Sequence, residues 1–74
     1  MSVRHFVLKQ EFIRLDDLLK LTGCVETGGQ AKVLIQGGGV LLDGEVCLMR
    51  GKKLRGGERV TLTAAGEEIA VDCP

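Results

Sequence analysis

The chain contains no tryptophan and no tyrosine, and its aromatic residues are two phenylalanines, Phe6 and Phe12. Proteins that read an extended single strand stack its bases on aromatic side chains. Both phenylalanines fall in apolar patterns that read as core, so a stacking platform of that kind is excluded. Histidine is nearly absent too: His5 stands alone in a strand-like pattern. The three cysteines, Cys24, Cys47 and Cys73, are odd in number and far apart, and no C-x-x-C pair occurs. One histidine cannot complete a zinc site with them at the usual spacings, and a disulfide framework is a poor reading. They read as buried or half-buried free thiols, and no metal or other cofactor is expected. Long apolar runs are missing, the longest being triplets such as Val33-Leu34-Ile35. A membrane helix needs roughly 18 residues. The opening "MSVRHFVLKQEF" breaks its apolar residues with charge, unlike a secretion signal. The expectation is a cytoplasmic protein without a membrane partner.

Catalytic groupings are scarce. Neither Cys24 nor Cys47 has a neighbouring His or Lys in sequence to lower its pKa. Asp16 and Asp17 are consecutive, so on a helix they face different directions and cannot act as one acid/base pair. The triplet Gly37-Gly38-Gly39 neither follows a strand nor leads into G-K-[ST], so it is not a phosphate loop. The chain does not read as an enzyme.

What is present is an uneven distribution of charge. The 74 residues carry ten basic and ten acidic side chains, yet residues 50–59, "RGKKLRGGER", hold five of the basic ones and a single acid, Glu58. The remainder is correspondingly acidic. Such polarisation bears on partners rather than on fold. Arg50, Lys52, Lys53, Arg55 and Arg59 are interleaved with Gly51, Gly56 and Gly57, which let backbone approach a phosphate chain. Lysine and arginine on phosphates release counterions, the term that drives most non-specific nucleic-acid affinity. With no stacking platform, a ligand read by its backbone shape fits best: a folded or double-helical RNA.

Periodicity gives the fold class. Residues 3–9 alternate as a strand does. From Phe12 the period lengthens: Leu15, Leu18 and Leu19 form one helical face, with Asp16 and Asp17 near its positive end and Gly23 after it. Thr27 and Gln30 fit a capping box opening a second helix, whose apolar face is Ala31, Leu34 and Ile35 and which the three glycines stop. "VLLDGEVC" reads as a hairpin turning at Asp43-Gly44, a pair that tolerates the positive φ of a type I′ turn. The basic stretch reads as an irregular connection, and "RVTLT" and "EIAV" as strands joined at "AAGE". One small domain over residues 1–74 is expected, of α+β class: two adjacent helices packed on a small, mostly antiparallel sheet. At this size only about 60% of the unfolded chain's surface is buried, so the core is thin.

These residues also carry a resemblance. "RLDDLL" (14–19), "ETGGQAKVLIQGGGVLLDGEV" (26–46) and "LRGGERVTL" (54–62) resemble the αL-motif RNA-binding domain named after ribosomal small-subunit protein S-four. That pattern runs as an R-L-D helix, a helix with Q-A-x-x-x-I, then G-x-V-x-V-[ND]-G and a G-[DE] turn. Here the positions are Arg14-Leu15-Asp16, then Gln30, Ala31 and Ile35, then Gly38, Val40, Leu42, Asp43 and Gly44, and finally Gly57-Glu58. The core motif covers about 14–62, with a strand added at each end, as in the small stand-alone bacterial members. The resemblance implies a non-catalytic module that binds structured RNA, ribosomal or transfer RNA among the candidates, through the helical pair and the basic loop. By position it implicates Arg14, Lys32, Arg50, Lys52, Lys53 and Arg55, with Lys20 a further candidate. Arg14 reads equally as a helix-end charge, and Lys32 as the polar face of its helix. The sequence departs from the family at Gly28-Gly29, where many members place Ser and Arg. Helical glycines cost about 1 kcal/mol each relative to Ala. The alternative reading is a protein-interaction module whose basic loop docks on an acidic partner.

Overall fold

The computed structural model describes residues 2–73. Its elements run β1 (Ser2–Val7), β2 (Ile13–Arg14), α1 (Leu15–Leu21), α2 (Gly28–Gln36), β3 (Val40–Leu42), β4 (Glu45–Val46), β5 (Lys53–Leu54), β6 (Arg59–Leu62) and β7 (Glu67–Asp72). Five strands form one sheet in the order β1-β7-β6-β3-β4, and β2 and β5 form a separate two-stranded ribbon. All pairings are antiparallel except β1 with β7. The expected α+β architecture of two adjacent helices and a mostly antiparallel sheet is therefore what the chain adopts.

Each helix folds for a local reason. In α1 the apolar spacing buries Leu15, Leu18 and Leu19, and Thr22 caps the far end, its N–H and hydroxyl both donating to the Leu18 carbonyl. Gly23, at φ 79°, takes the left-handed turn that ends the helix. At the start of α2 the Thr27 hydroxyl accepts from the Gln30 N–H at 3.1 Å, and the Gln30 amide oxygen accepts from the Glu26 N–H at 2.7 Å. This is the reciprocal arrangement the sequence predicts, with the return bond one residue earlier than in the usual box. Ala31 and Ile35 are buried and Leu34 half-buried, facing α1 and the sheet.

The helices and the sheet share one core of Leu8, Ile13, Leu15, Leu18, Leu19, Ala31, Ile35, Val40, Leu54, Val60, Leu62, Ile69 and Val71. Along β6 the alternation is strict, Val60 and Leu62 inward and Arg59 exposed. The hairpin turns where expected, with Asp43 at φ 52° and Gly44 at φ 85°.

Four expectations need correcting. The helical run starts at Leu15, because Phe12 precedes, and Ile13 belongs to, the short extended segment that pairs with β5. The basic stretch is not wholly irregular, since Lys53–Leu54 is that pairing partner. Cys73 is exposed, lying beyond the end of β7, whereas Cys24 and Cys47 are half-buried as expected. Phe6 packs partly buried against the core, but Phe12 lies outside the core cluster. Among the described residues no helix is long and apolar enough to cross a membrane.

Candidate nucleic-acid interface

The basic loop is held by apolar and backbone anchors rather than by ion pairs of its cations. Leu54, between Lys53 and Arg55, is fully buried in the core. Its β2 partner is Ile13, also buried, while Arg14 stands opposite Lys53. The Lys52 carbonyl accepts from the Leu15 N–H at 2.9 Å, and the Arg50 carbonyl from the Asp16 N–H at 3.0 Å. Those are two of the unpaired donors that open every helix. Arg14, in the capping position, makes no side-chain cap, so the loop backbone supplies it instead.

Glu58 fixes the other end of the loop. Its carboxylate accepts from the N–H groups of Arg55 and Gly56, both at 2.8 Å. Gly57 N–H then donates to the Val71 carbonyl at 2.7 Å, and Val71 N–H to the Glu58 carbonyl at 2.9 Å. Gly56 has φ 111°, and a Cβ there would lie 2.5 Å from Cys73 Sγ. The loop's single acid thus binds backbone rather than neutralising a neighbouring cation.

The side chains are left available as a result. Arg50, Lys52, Lys53 and Arg55 are exposed, and among the described residues none lies in an ion pair. Arg59, the fifth basic residue of the stretch, instead pairs with Glu68 at 3.5 Å. Two of the four share an aromatic support: Lys53 Nζ is 4.8 Å and Arg55 Cζ 5.8 Å from the centre of the Phe12 ring. A cation over a ring face is attracted by its quadrupole, by about 0.5–1 kcal/mol at exposed sites. This explains why Phe12 is half-buried yet outside the core.

Arg14 joins the cluster from the other strand of the ribbon. Its Nη2 donates to Asp16 Oδ2 at 3.2 Å, and a Cβ on Gly51 would sit 3.5 Å from that same nitrogen, so the loop runs directly past the guanidinium. Asp16 is only 8% exposed and also accepts from the Asp17 N–H at 2.9 Å. The fold therefore gathers Arg14, Arg50, Lys52, Lys53 and Arg55 around the β2–β5 ribbon and the start of α1. Lys32 is exposed on α2, a different element from those that carry the group. Lys20 lies at the other end of α1, 4.0 Å from Asp17. Sequence reasoning named Phe12 as core and Glu58 as the closing G-[DE] position, and assigned neither its part in holding the loop and its cations.

A family model described as the S4 domain matches residues 6–72. The chain belongs to the S4-domain family. Within it, this S4 domain is 40% identical over 63 residues to YbcJ of Escherichia coli (strain K12), covering 85% of this chain and 87% of that protein. The Shigella flexneri YbcJ matches to the same extent. The solution structure of Escherichia coli YbcJ superposes with a TM-score of 0.68 at 39% identity, covering 92% of this S4 domain and 85% of that chain. That structure is described as revealing an αL motif involved in RNA binding. The family match extends beyond the core motif at 14–62 and takes in the end of β1 and all of β7.

Proposed function

We propose that this S4 domain is a non-catalytic module that binds structured RNA, with Arg14, Arg50, Lys52, Lys53 and Arg55 as one phosphate-contacting face and Lys32 as an outlying contact. The observation that carries the reading is a group of four exposed, unpaired cations on a loop tied down by its own backbone and by Leu54. A loop ordered before binding loses little entropy when a ligand arrives. Family membership and the description of YbcJ support RNA as that ligand. Phosphate contacts position the molecule without reading sequence, so recognition rests on the shape of the RNA backbone. Ribosomal and transfer RNA are the structured RNAs to test first.

The test is binding to total cellular RNA across a salt series, beside a Lys52→Glu/Lys53→Glu/Arg55→Glu variant checked for folding. Three to five phosphate contacts give a log–log slope of roughly −2 to −5. Equal, weak binding by both proteins would refute the assignment of the loop.

A second reading has its own observation. Val46, Leu48 and Met49 are all more than half exposed, and with Leu42, Glu45, Cys47 and Lys52 they line a depression of about 250 Å³. Apolar surface beside a basic loop also suits an acidic protein partner. Binding through that surface would be far less salt-sensitive than RNA binding.

A further inference from the structure

Beside the cation cluster lies an open depression of about 410 Å³, lined by Gln10, Glu11, Phe12, Ile13, Arg14 and Asp17. Its apolar part is chiefly Phe12, Ile13 being only 4% exposed, and its polar part is two carboxylates, one amide and one guanidinium. An aromatic side chain with a few convergent polar groups is a common make-up of a small-ligand site. The charge distribution is what selects the ligand. Arg14 and the ring that carries Lys53 and Arg55 put the phosphate-binding face at the rim. Glu11 and Asp17, by contrast, make the depression hostile to a second phosphate.

In a nucleic acid, what lies beside a phosphate and is flat, apolar on its faces and uncharged is the base. A carboxylate reads a base through N–H donors. Guanine alone presents two adjacent ones on its Watson–Crick edge, N1–H and the N2 amino group, which one carboxylate accepts together. Glu11 is exposed, and Asp17 has only the long 4.0 Å contact to Lys20, so both can turn toward a ligand. That edge is accessible only when the base is unpaired.

We propose that the depression is a subsite for one unpaired guanine, next to the phosphates held by the cation cluster. The proposal rests on the RNA-binding reading above. It makes the domain a reader of a bulged or looped-out guanine on a helical RNA rather than of uniform duplex.

The experiment uses the whole chain and one RNA hairpin, synthesised without a bulge or with a single bulged G, A, C or U. The bulged-G hairpin is expected to bind about ten-fold tighter than the other four, the scale of one bidentate base contact. Only that hairpin should shift the backbone amide signals of residues 10–17 beyond the shifts common to all five. Glu11→Gln/Asp17→Asn should abolish the preference while binding the unbulged hairpin at least as tightly as wild type, because two repulsive charges are gone. That crossing of effects separates base reading from general damage. If all five hairpins bind alike with a normal salt slope, the guanine subsite is overturned and the phosphate reading stands. If none binds with salt dependence, both are overturned.

Discussion

Phe12→Leu isolates the support under the basic loop. Leucine keeps the residue apolar, and Phe12 lies outside the core cluster, so the fold should survive. What disappears is the ring beneath Lys53, at 4.8 Å, and Arg55, at 5.8 Å. Each contact is worth about 0.5–1 kcal/mol at an exposed site, and ordering each freed side chain on binding costs a similar amount. Two contacts therefore predict a loss of about 1–2 kcal/mol, or about 5- to 30-fold in Kd. The log–log salt slope should stay the same, because no cation has been removed. Phe12→Trp should restore or exceed wild-type affinity, indole being the stronger partner for a cation. The assay is titration of an unbulged RNA hairpin by fluorescence anisotropy at several salt concentrations, so that the depression beside Phe12 is not engaged. Wild-type affinity in Phe12→Leu, or a slope that falls with it, would refute the idea that the ring holds the cations in place.

Other substitutions separate stability from binding. Leu54→Ala, at a fully buried site, should cost about 2–5 kcal/mol in a denaturant titration and weaken RNA binding even at temperatures where the domain remains folded. Gly56→Ala puts a Cβ against Cys73 and holds alanine at φ 111°; about 1–3 kcal/mol of destabilisation follows, and a Cys73→Gly partner should relieve the steric part but not the backbone part. Glu58→Ala deletes the only acid of residues 50–59 yet should not tighten RNA binding as its charge suggests, because two backbone donors lose their acceptor. Gly29→Ala should stabilise α2 by up to about 1 kcal/mol, since a Cβ there meets only Thr27 Oγ1 at 3.8 Å; a simultaneous loss of RNA affinity would locate a ligand at that helix start.

The parts of this molecule that follow from local chemistry were readable in advance. Thr27 with Gln30, Asp43 with Gly44, Gly23 after the leucines, and the alternation through β6 each need only near neighbours in sequence; β7 buries Ile69, Ala70 and Val71 in succession and does not alternate. The β2–β5 ribbon was not readable, because two-residue strands carry no period and their pairing joins residues some forty positions apart. The same holds for Phe12. An aromatic in an apolar stretch reads as core until the fold brings Lys53 and Arg55 above it. Cys73 was misread for a related reason: its burial depended on where β7 ends. The site followed the same rule. The cations were obvious from composition, whereas their clustering with Arg14 depended on tertiary structure.

The capping of α1 by the carbonyls of Arg50 and Lys52 has a consequence for how such a domain changes over evolutionary time. Those bonds use main-chain oxygens, which every amino acid possesses. Residues 50, 52, 53 and 55 can therefore be exchanged freely without uncapping the helix, provided Leu54, Glu58 and the glycines at 56 and 57 stay. Substitution can rewrite those side chains while the scaffold remains indifferent to the change. Within these ten residues the scaffold rests on main chain, Leu54 and Glu58, and the four exposed cations stand apart from it.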